Sequence, residues 1–228
     1  MILPECISDN LQEVQGENYL GLTTCEIEPL YIKEVIEQGK NMGTGGYHWK
    51  YGNGHIKKLR PRELTERLPK RFENSLKIRH LLKGDNTGIP HPMGLIYEGT
   101  TKNILLGDSN AYFITLYVEG ENLLNQIKNL NNNQIEIIFN LMKIHLENYS
   151  EKGLYLLDFA PRDIILKPLE DEKFEPIFAD TEHLEIGPNK KYSLDTELVN
   201  KQRQQFKIDY SPFLPRKRLN KTLDMMFK

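Results

Sequence analysis

Apolar and β-branched residues, broken by glycine, recur in short runs along the first half of the chain, and this pattern is typical of β-strands. Tyr47 to Tyr51 and His55 to Leu59 are two such runs. Gly52-Asn-Gly54 between them is a strong hairpin signal, because glycine and asparagine accept positive φ angles. Three further runs bring the predicted N-terminal sheet to five strands: Tyr31 to Glu37, Met93 to Tyr97 and Ala111 to Val118.

Two longer segments have the spacing of helices. Pro69 opens the first segment, which runs to about Lys83, because the N–H that proline lacks is not needed in the first helical turn. In the second segment, residues from Ile138 to Tyr149 recur at helical spacing and Gly153 follows the end. The apolar residues of this second helix are Ile138, Leu141, Met142, His145 and Tyr149, of which His145 is predicted to be a packed core residue.

Two short apolar strands, Ile164 to Leu166 and Pro176 to Ala179, follow the second helix and are predicted to form a hairpin. The predicted fold class is therefore α+β, with a five-stranded N-terminal sheet that carries one helix. A mostly helical, shortened C-terminal part with a mixed tail completes it.

The charge balance and the cysteines narrow the functional classes. Thirty basic residues face 32 acidic ones, so a nucleic-acid partner is not expected, and the basic cluster Arg216 to Arg218 is interpreted as a solvated patch. Cys6 and Cys25 form neither a zinc spacing nor a disulfide framework, which favours a reducing compartment. With no signal peptide and no apolar run long enough to span a bilayer, a cytoplasmic location is predicted.

Carboxylates are concentrated around the predicted hairpin. Asp158 and Asp163 lie five residues apart in the loop that precedes it, and Asp180 and Glu182 follow its second strand. Hard cations such as Mg²⁺ prefer oxygen ligands. Phosphoryl transfer from ATP needs such a cation and a carboxylate set against the attacking hydroxyl. The spacing therefore predicts a divalent-cation site.

Asp158, four further residues, Asp163 and the following isoleucines resemble the catalytic loop of the protein-kinase-like superfamily, which reads His-x-Asp, four residues, Asn. Leu156 stands where the family has its histidine, and Asp163 stands where it has its asparagine. Asp180-Thr-Glu182 is similar to the metal-binding Asp-Phe-Gly. The resemblance implies that Asp158 accepts the proton of a substrate hydroxyl. It also implies that Asp163, Asp180 and Glu182 hold Mg²⁺ or Mn²⁺.

The resemblance extends upstream of the loop. Ile56-Lys57-Lys58-Leu59 resembles the third-strand lysine motif of the family, and Glu73 lies 16 residues beyond Lys57. This implies that Lys57 binds the α- and β-phosphates of ATP and pairs with Glu73. Lys58 is the alternative to Lys57, and Glu66 is the alternative to Glu73.

Two further nucleotide contacts are implied by the same resemblance. The backbone around Leu116, Tyr117 and Val118 resembles the hinge that bonds the adenine edge. Gly43 and Gly45 lie in a glycine-rich stretch that is predicted either to cradle the phosphates or to form only a turn.

The resemblance implies two lobes, residues 1–118 and 119–228, with ATP in the cleft. Only 46 residues follow Glu182, and no Ala-Pro-Glu occurs among them. This brevity resembles compact atypical kinases, such as the lipopolysaccharide-sugar kinases and the RIO-type kinases. The predicted function is phosphotransfer from ATP to a hydroxyl of a sugar, lipid-linked or other small-molecule acceptor. The alternatives are an atypical protein serine/threonine kinase that autophosphorylates and, because of Leu156 and Asp163, a pseudokinase.

Overall fold

The computed structural model describes residues 12–16, 19–23, 40–41, 48–51, 53–59, 70–82, 87–98, 110–171, 173–187 and 197–227. The chain divides into two compact units. The first unit comprises Met1–His80 and Pro90–Tyr117, and the second comprises Leu81–Ile89 and Val118–Lys228. The predicted strand at Tyr31 to Glu37, the glycine-rich stretch with Gly43 and Gly45, and the alternative carboxylate Glu66 lie outside the described residues.

The described part of the first unit is built on an antiparallel sheet of seven strands. In chain order the strands are β1 Gln12–Gly16, β2 Tyr19–Thr23, β3 Lys40–Asn41, β4 His48–Tyr51, β5 Gly54–Lys58, β6 Pro92–Glu98 and β7 Ala111–Leu116. Their order across the sheet is β1-β2-β6-β7-β5-β4-β3. The predicted hairpin is confirmed, because Tyr51 pairs with Gly54 where β4 turns into β5.

The prediction of five strands is corrected, because the sheet also contains β1, β2 and β3. The apolar pattern did not indicate these three strands. β1 reads Gln-Glu-Val-Gln-Gly, a mostly polar run with a terminal glycine. It becomes a strand by pairing with β2, which in turn pairs with the distant β6. Strand formation depends strongly on such cross-strand partners, so a short polar strand has a weak local signal.

One face of the sheet is covered by helix α1, Lys70–Leu82, which confirms the first predicted helix. The edge of the Phe72 ring meets the Phe113 ring at a centroid distance of 5.8 Å. These two rings belong to a buried cluster that joins α1 to β6, β7 and the residue after β5. Its members are Leu59, Phe72, Leu76, Leu95, Tyr97, Ala111 and Phe113.

The second unit combines short strands with four α-helices among its described residues. In chain order its elements are β8 Glu121–Asn122, α2 Leu123–Gln126, α3 Asn132–Glu151, β9 Leu154–Leu156, a 3₁₀ turn at Pro161–Asp163, β10 Ile164–Pro168, β11 Phe174–Phe178, β12 Leu184–Ile186, α4 Glu197–Tyr210 and α5 Arg216–Phe227. β10 and β11 form the predicted hairpin. None of the helices described in either unit is long and apolar enough to cross a bilayer.

Helix α3 begins where a reciprocal cap forms. The Asn131 side chain accepts a hydrogen bond from the Gln134 backbone, and the Gln134 side chain accepts one from the Asn131 backbone, which satisfies two otherwise unpaired N–H groups. The tail, which the sequence pattern left mixed, folds into α4 and α5. Aromatic rings join α4 to α3, since Phe139 meets both Phe206 and Tyr210 at 5.4 Å between ring centroids.

Residues Thr87 to Ile89 also belong to the second unit, and two hydrogen bonds join them to the rest of it. The Tyr149 hydroxyl donates to the Thr87 carbonyl at 2.5 Å, and the Phe178 N–H donates to the Gly88 carbonyl at 2.7 Å. Gly88 adopts φ +67° against the ring of His145. His145 is buried, as predicted, and burial lowers the pKa of its imidazole.

Candidate active site

The loop that carries Asp158 is held by pairing between distant segments of the second unit. Leu156, at the end of β9, pairs with Leu184 of β12. The Leu157 N–H then donates to the His183 carbonyl at 2.8 Å. The residues that follow β11 therefore run back alongside the loop that precedes β10.

Asp158 is partly exposed, with 26% of its side chain accessible. Its Oδ1 accepts a long hydrogen bond of 3.5 Å from the Ala160 N–H. Its Oδ2 lies 3.9 Å from Nε2 of His183, which becomes a neighbour only through the pairing of β9 with β12. A carboxylate that is accessible and only loosely bonded is suited to accepting a proton from a bound hydroxyl.

The hairpin brings two of the predicted metal ligands to one end. Ile164 pairs with Phe178, and the Ala179 N–H donates to the Asp163 carbonyl at 2.8 Å, so Asp180 comes one residue after the contact with Asp163. Asp180 Oδ1 accepts a hydrogen bond of 2.9 Å from the Glu182 N–H. The 3₁₀ turn ends at Asp163, whose Oδ2 lies 3.2 Å from Nε of Arg162.

The predicted metal ligands can be compared with what a magnesium ion needs from a protein. Among the described residues, no group of three or more His, Cys, Asp and Glu side chains is arranged to hold a metal ion. Mg²⁺ does not need such a group, because it is usually bound by one or two carboxylates together with waters and substrate phosphates. Asp163 and Asp180 are two such carboxylates by number, and the roles of Asp163, Asp180 and Glu182 as metal ligands stay predictions.

The register of the sheet distinguishes Lys57 from Lys58. Lys57 is buried and pairs with Phe113, so both side chains point to the face that α1 covers. Lys58 is partly exposed, pairs with Tyr112 and points to the opposite face. Only Lys57 therefore shares a face of the sheet with the helix that carries Glu73.

Glu73 follows Phe72 on α1, and its carboxylate forms an ion pair of 2.6 Å with Lys77. The two residues lie one turn apart on the helix, a spacing at which such pairs are common. The pairing of Glu73 with Lys57 stays a prediction.

Two backbone N–H groups of the predicted hinge are bonded within the sheet, and the contact of this segment with adenine stays a prediction. The Leu116 N–H donates to the His91 carbonyl at 2.8 Å, and the Tyr117 N–H donates to the Asn53 carbonyl at 2.7 Å. Both donors extend the sheet pairing by one residue, so neither is available to an adenine edge. A base contact at this segment would fall to the carbonyl groups or to Val118.

A polar patch continues the sheet face of Lys57 and was not anticipated. His48 Nδ1 lies 3.2 Å from His55 Nε2, and His55 Nδ1 lies 3.5 Å from the Thr115 hydroxyl. Lys50 places its ammonium 3.6 Å from the centre of the Tyr117 ring. The sequence signal for this patch is the alternation of His48 and Lys50 on β4 with His55 and Lys57 on β5, which places all four on one face.

Helix α4 supplies side chains to the Asp158 loop that the sequence analysis missed. Gln202 Nε2 donates to the Leu156 carbonyl at 2.6 Å, and the Tyr210 hydroxyl donates to the Phe159 carbonyl at 3.2 Å. These contacts span 46 and 51 residues of sequence, so no local sequence pattern predicts them.

Asp209 of α4 is a further carboxylate beside this loop. Its Oδ1 accepts a hydrogen bond of 2.9 Å from Gln205, whereas its buried Oδ2 has no hydrogen-bond partner among the described residues. Burial raises the pKa of the Asp209 carboxyl, and the negative charge of Asp158 raises it further.

We expect Asp209→Asn to raise the free energy of unfolding at pH 7 by up to about 1 kcal/mol, a small gain because solvent screens a partly exposed charge. A carboxyl whose folded pKa is raised stabilises the protein fully below its ordinary pKa of 3.8, and this contribution is lost as pH rises through the folded value. Asparagine removes that loss. Urea unfolding at pH 4 and pH 7 measures the difference.

Asp224→Asn is the control for this experiment, because the Asp224 carboxylate is half exposed and lies 3.6 Å from Arg203. We expect no stabilisation from it at either pH. A loss of stability at pH 7 in Asp209→Asn would contradict the assignment of Asp209 as an unfavourable carboxylate.

Among the solved structures that match this chain are kinases, the class that the sequence motifs resemble. The chain is 12% identical to the bifunctional kinase-methyltransferase WbdD, covering 80% of this chain and 40% of WbdD, with a TM-score of 0.47. A monomeric WbdD structure gives 16% identity, coverages of 80% and 42%, and the same TM-score of 0.47. The kinase domain of Mycobacterium tuberculosis PknI, in a double mutant, gives 13% identity, coverages of 75% and 70%, and a TM-score of 0.46.

The chain thus spans about 40% of the length of the first of these structures. No protein-family model matches it, and no curated protein matches it. Each of these three TM-scores lies below 0.5.

Proposed function

We propose that this chain is an ATP-dependent phosphotransferase that moves the γ-phosphate to a hydroxyl group. The observation that supports it most is the arrangement of Asp158, Asp163 and Asp180, which two separate strand pairings bring to the same part of the second unit. A carboxylate for the attacking hydroxyl and two carboxylates for a cation are the parts that phosphoryl transfer requires from a protein.

In the proposed reaction Asp158 orients the acceptor hydroxyl and accepts its proton. The acceptor oxygen forms a bond to the γ-phosphorus, and the bond from that phosphorus to the oxygen of the departing ADP breaks. Asp163 and Asp180 would hold Mg²⁺ or Mn²⁺, which when bound neutralises charge on the β- and γ-phosphate oxygens. Lys57 would bind the α- and β-phosphates through its ammonium group.

The ion pair between Arg162 and Asp163 favours an active enzyme over a pseudokinase. A carboxylate at position 163 adds a negative charge where the family has an amide. The guanidinium of Arg162, 3.2 Å away, offsets part of that charge. The loss of the family histidine at Leu156 is offset as well, since the loop is instead bonded by Gln202 and Tyr210.

We propose a sugar, lipid-linked or other small-molecule hydroxyl as the acceptor, on the resemblance to compact atypical kinases. A protein serine or threonine, including one in this chain, is the second candidate. Incubation of the protein with γ-labelled ATP, Mg²⁺ or Mn²⁺ and each acceptor class distinguishes them. Label on a sugar or lipid fraction supports the first candidate, and label on the protein alone supports the second.

Nucleotide binding can be tested without knowledge of the acceptor. At a hundredfold excess of ATP and Mg²⁺ over the dissociation constant, the free energy of unfolding is expected to rise by about 2.7 kcal/mol, because only the folded protein binds the ligand. Denaturant unfolding with and without ATP and Mg²⁺ measures this gain. An unchanged unfolding midpoint at millimolar ATP and Mg²⁺ would contradict the proposed function.

Lys57→Ala and Lys58→Ala form a matched pair on one strand for the same assay. Lys57→Ala is expected to lower phosphotransfer strongly, because it removes the ammonium group proposed to bind the α- and β-phosphates. Lys58→Ala, with its side chain on the other face, is expected to retain activity. The reverse result would move the phosphate contact to Lys58.

A further inference from the structure

The backbone on both sides of Asp158 is bonded to a single helix. Gln202 Nε2 donates to the carbonyl of Leu156, two residues before Asp158, at 2.6 Å. The Tyr210 hydroxyl donates to the carbonyl of Phe159, the residue after Asp158, at 3.2 Å. Both donors lie on α4, so a single rigid element holds the loop at two points.

Both anchoring side chains are buried, with 1% of Gln202 and none of Tyr210 accessible to solvent. The Tyr210 ring is stacked on Phe206 at 4.1 Å, and Phe206 in turn meets the Phe159 ring of the loop at 6.1 Å between centroids. Hydrogen bonds from buried side chains with packed rotamers restrict backbone position more strongly than exposed ones do.

Asp158 itself depends on this restraint. The hydrogen bond that Oδ1 of Asp158 accepts from the Ala160 N–H is long at 3.5 Å, and Nε2 of His183 lies 3.9 Å from Oδ2. Because these side-chain contacts are weak, the position of the carboxylate depends mainly on where the backbone places its Cα. Displacement of a catalytic group by about 1 Å can reduce a rate about a hundredfold.

We propose that Gln202 and Tyr210 are positioning residues, which hold the Asp158 carboxylate where it meets the acceptor hydroxyl. The inference rests on the proposed function and adds to it a dependence of turnover on α4. Neither residue touches the nucleotide or the acceptor in this proposal, so the effect of each passes through Asp158.

Tyr210→Phe is the sharpest test, because it removes one oxygen and keeps the ring stack with Phe206. We expect kcat for phosphotransfer to fall about 10- to 100-fold with KM for ATP unchanged. Gln202→Leu, which removes the other anchor, is expected to act in the same direction. In an Asp158→Ala background neither substitution should lower the residual rate further, which separates positioning from a general loss of structure.

Tyr149→Phe is a matched control in the same unit. Tyr149 is also fully buried, and its hydroxyl also donates to a backbone carbonyl, that of Thr87, which is not part of the loop. The Tyr149→Phe variant is expected to be less stable than wild type. Its kcat is expected to be unchanged at a temperature where all of the protein is folded. Gln204→Leu, an exposed position on α4, is the corresponding control for Gln202.

An active wild type whose kcat is unchanged in both Tyr210→Phe and Gln202→Leu would overturn the positioning inference and leave the proposed function intact. Equal losses of kcat in Tyr149→Phe and Tyr210→Phe would overturn it as well. A wild type that transfers no phosphate to any acceptor class would overturn the proposed function, and the inference with it.

Discussion

Asp158→Asn is expected to reduce phosphotransfer by about 10²- to 10⁴-fold, the range that removal of a general base produces. The amide keeps the size of the carboxylate but cannot accept the proton of the acceptor hydroxyl. Nucleotide affinity is expected to stay within about twofold, because the proposed partner of Asp158 is the acceptor and not ATP. Steady-state rates together with ATP titration by calorimetry measure both quantities.

Asp171→Asn is the control, since the side chain of Asp171 is 81% exposed in the turn between β10 and β11. It is expected to retain full activity. Wild-type turnover in Asp158→Asn would remove the catalytic role from this residue. A parallel loss of ATP affinity would instead place Asp158 in the nucleotide site.

Gly88→Ala is expected to lower the free energy of unfolding by about 2–5 kcal/mol. An L-residue at φ +67° is strained by about 1–2 kcal/mol. The added Cβ would also lie 2.7 Å from Cγ of His145, and overpacking of a core costs about 1–3 kcal/mol. Urea unfolding of the variant and wild type measures the loss.

A double-mutant cycle separates the two causes. His145→Ala removes the ring that the new Cβ would strike, so Gly88→Ala should cost less in that background, and only the backbone strain should remain. An equal cost of Gly88→Ala with and without the His145 ring would show that the close approach is not the cause. Retained stability in the single variant would contradict the tight fit of this segment.

Much of the local structure follows from the sequence. The Gly52-Asn-Gly54 signal predicts a hairpin from three neighbouring residues, and β4 and β5 pair on either side of it as predicted. The apolar spacing of α1 and α3 likewise acts over one or two turns, so both helices were expected. The predicted hinge shows what local patterns do not reveal. The carbonyl partners of its N–H groups, His91 and Asn53, lie on other parts of the chain.

Some features of the candidate site likewise follow from the sequence, and others depend on the tertiary structure. The sequence by itself determined which carboxylates are present and in what order, because the spacing of Asp158, Asp163 and Asp180 is a property of the chain. Tertiary structure alone decided that Lys57 and not Lys58 faces α1, because the face of a strand residue depends on register with β7. It also decided that Gln202 and Tyr210 hold the loop, because bonds spanning 46 and 51 residues form only when α4 packs against β9 and its loop. Short-range patterns arise from backbone geometry over a few residues, whereas these contacts depend on which buried surfaces pack together, and that is settled by the whole fold.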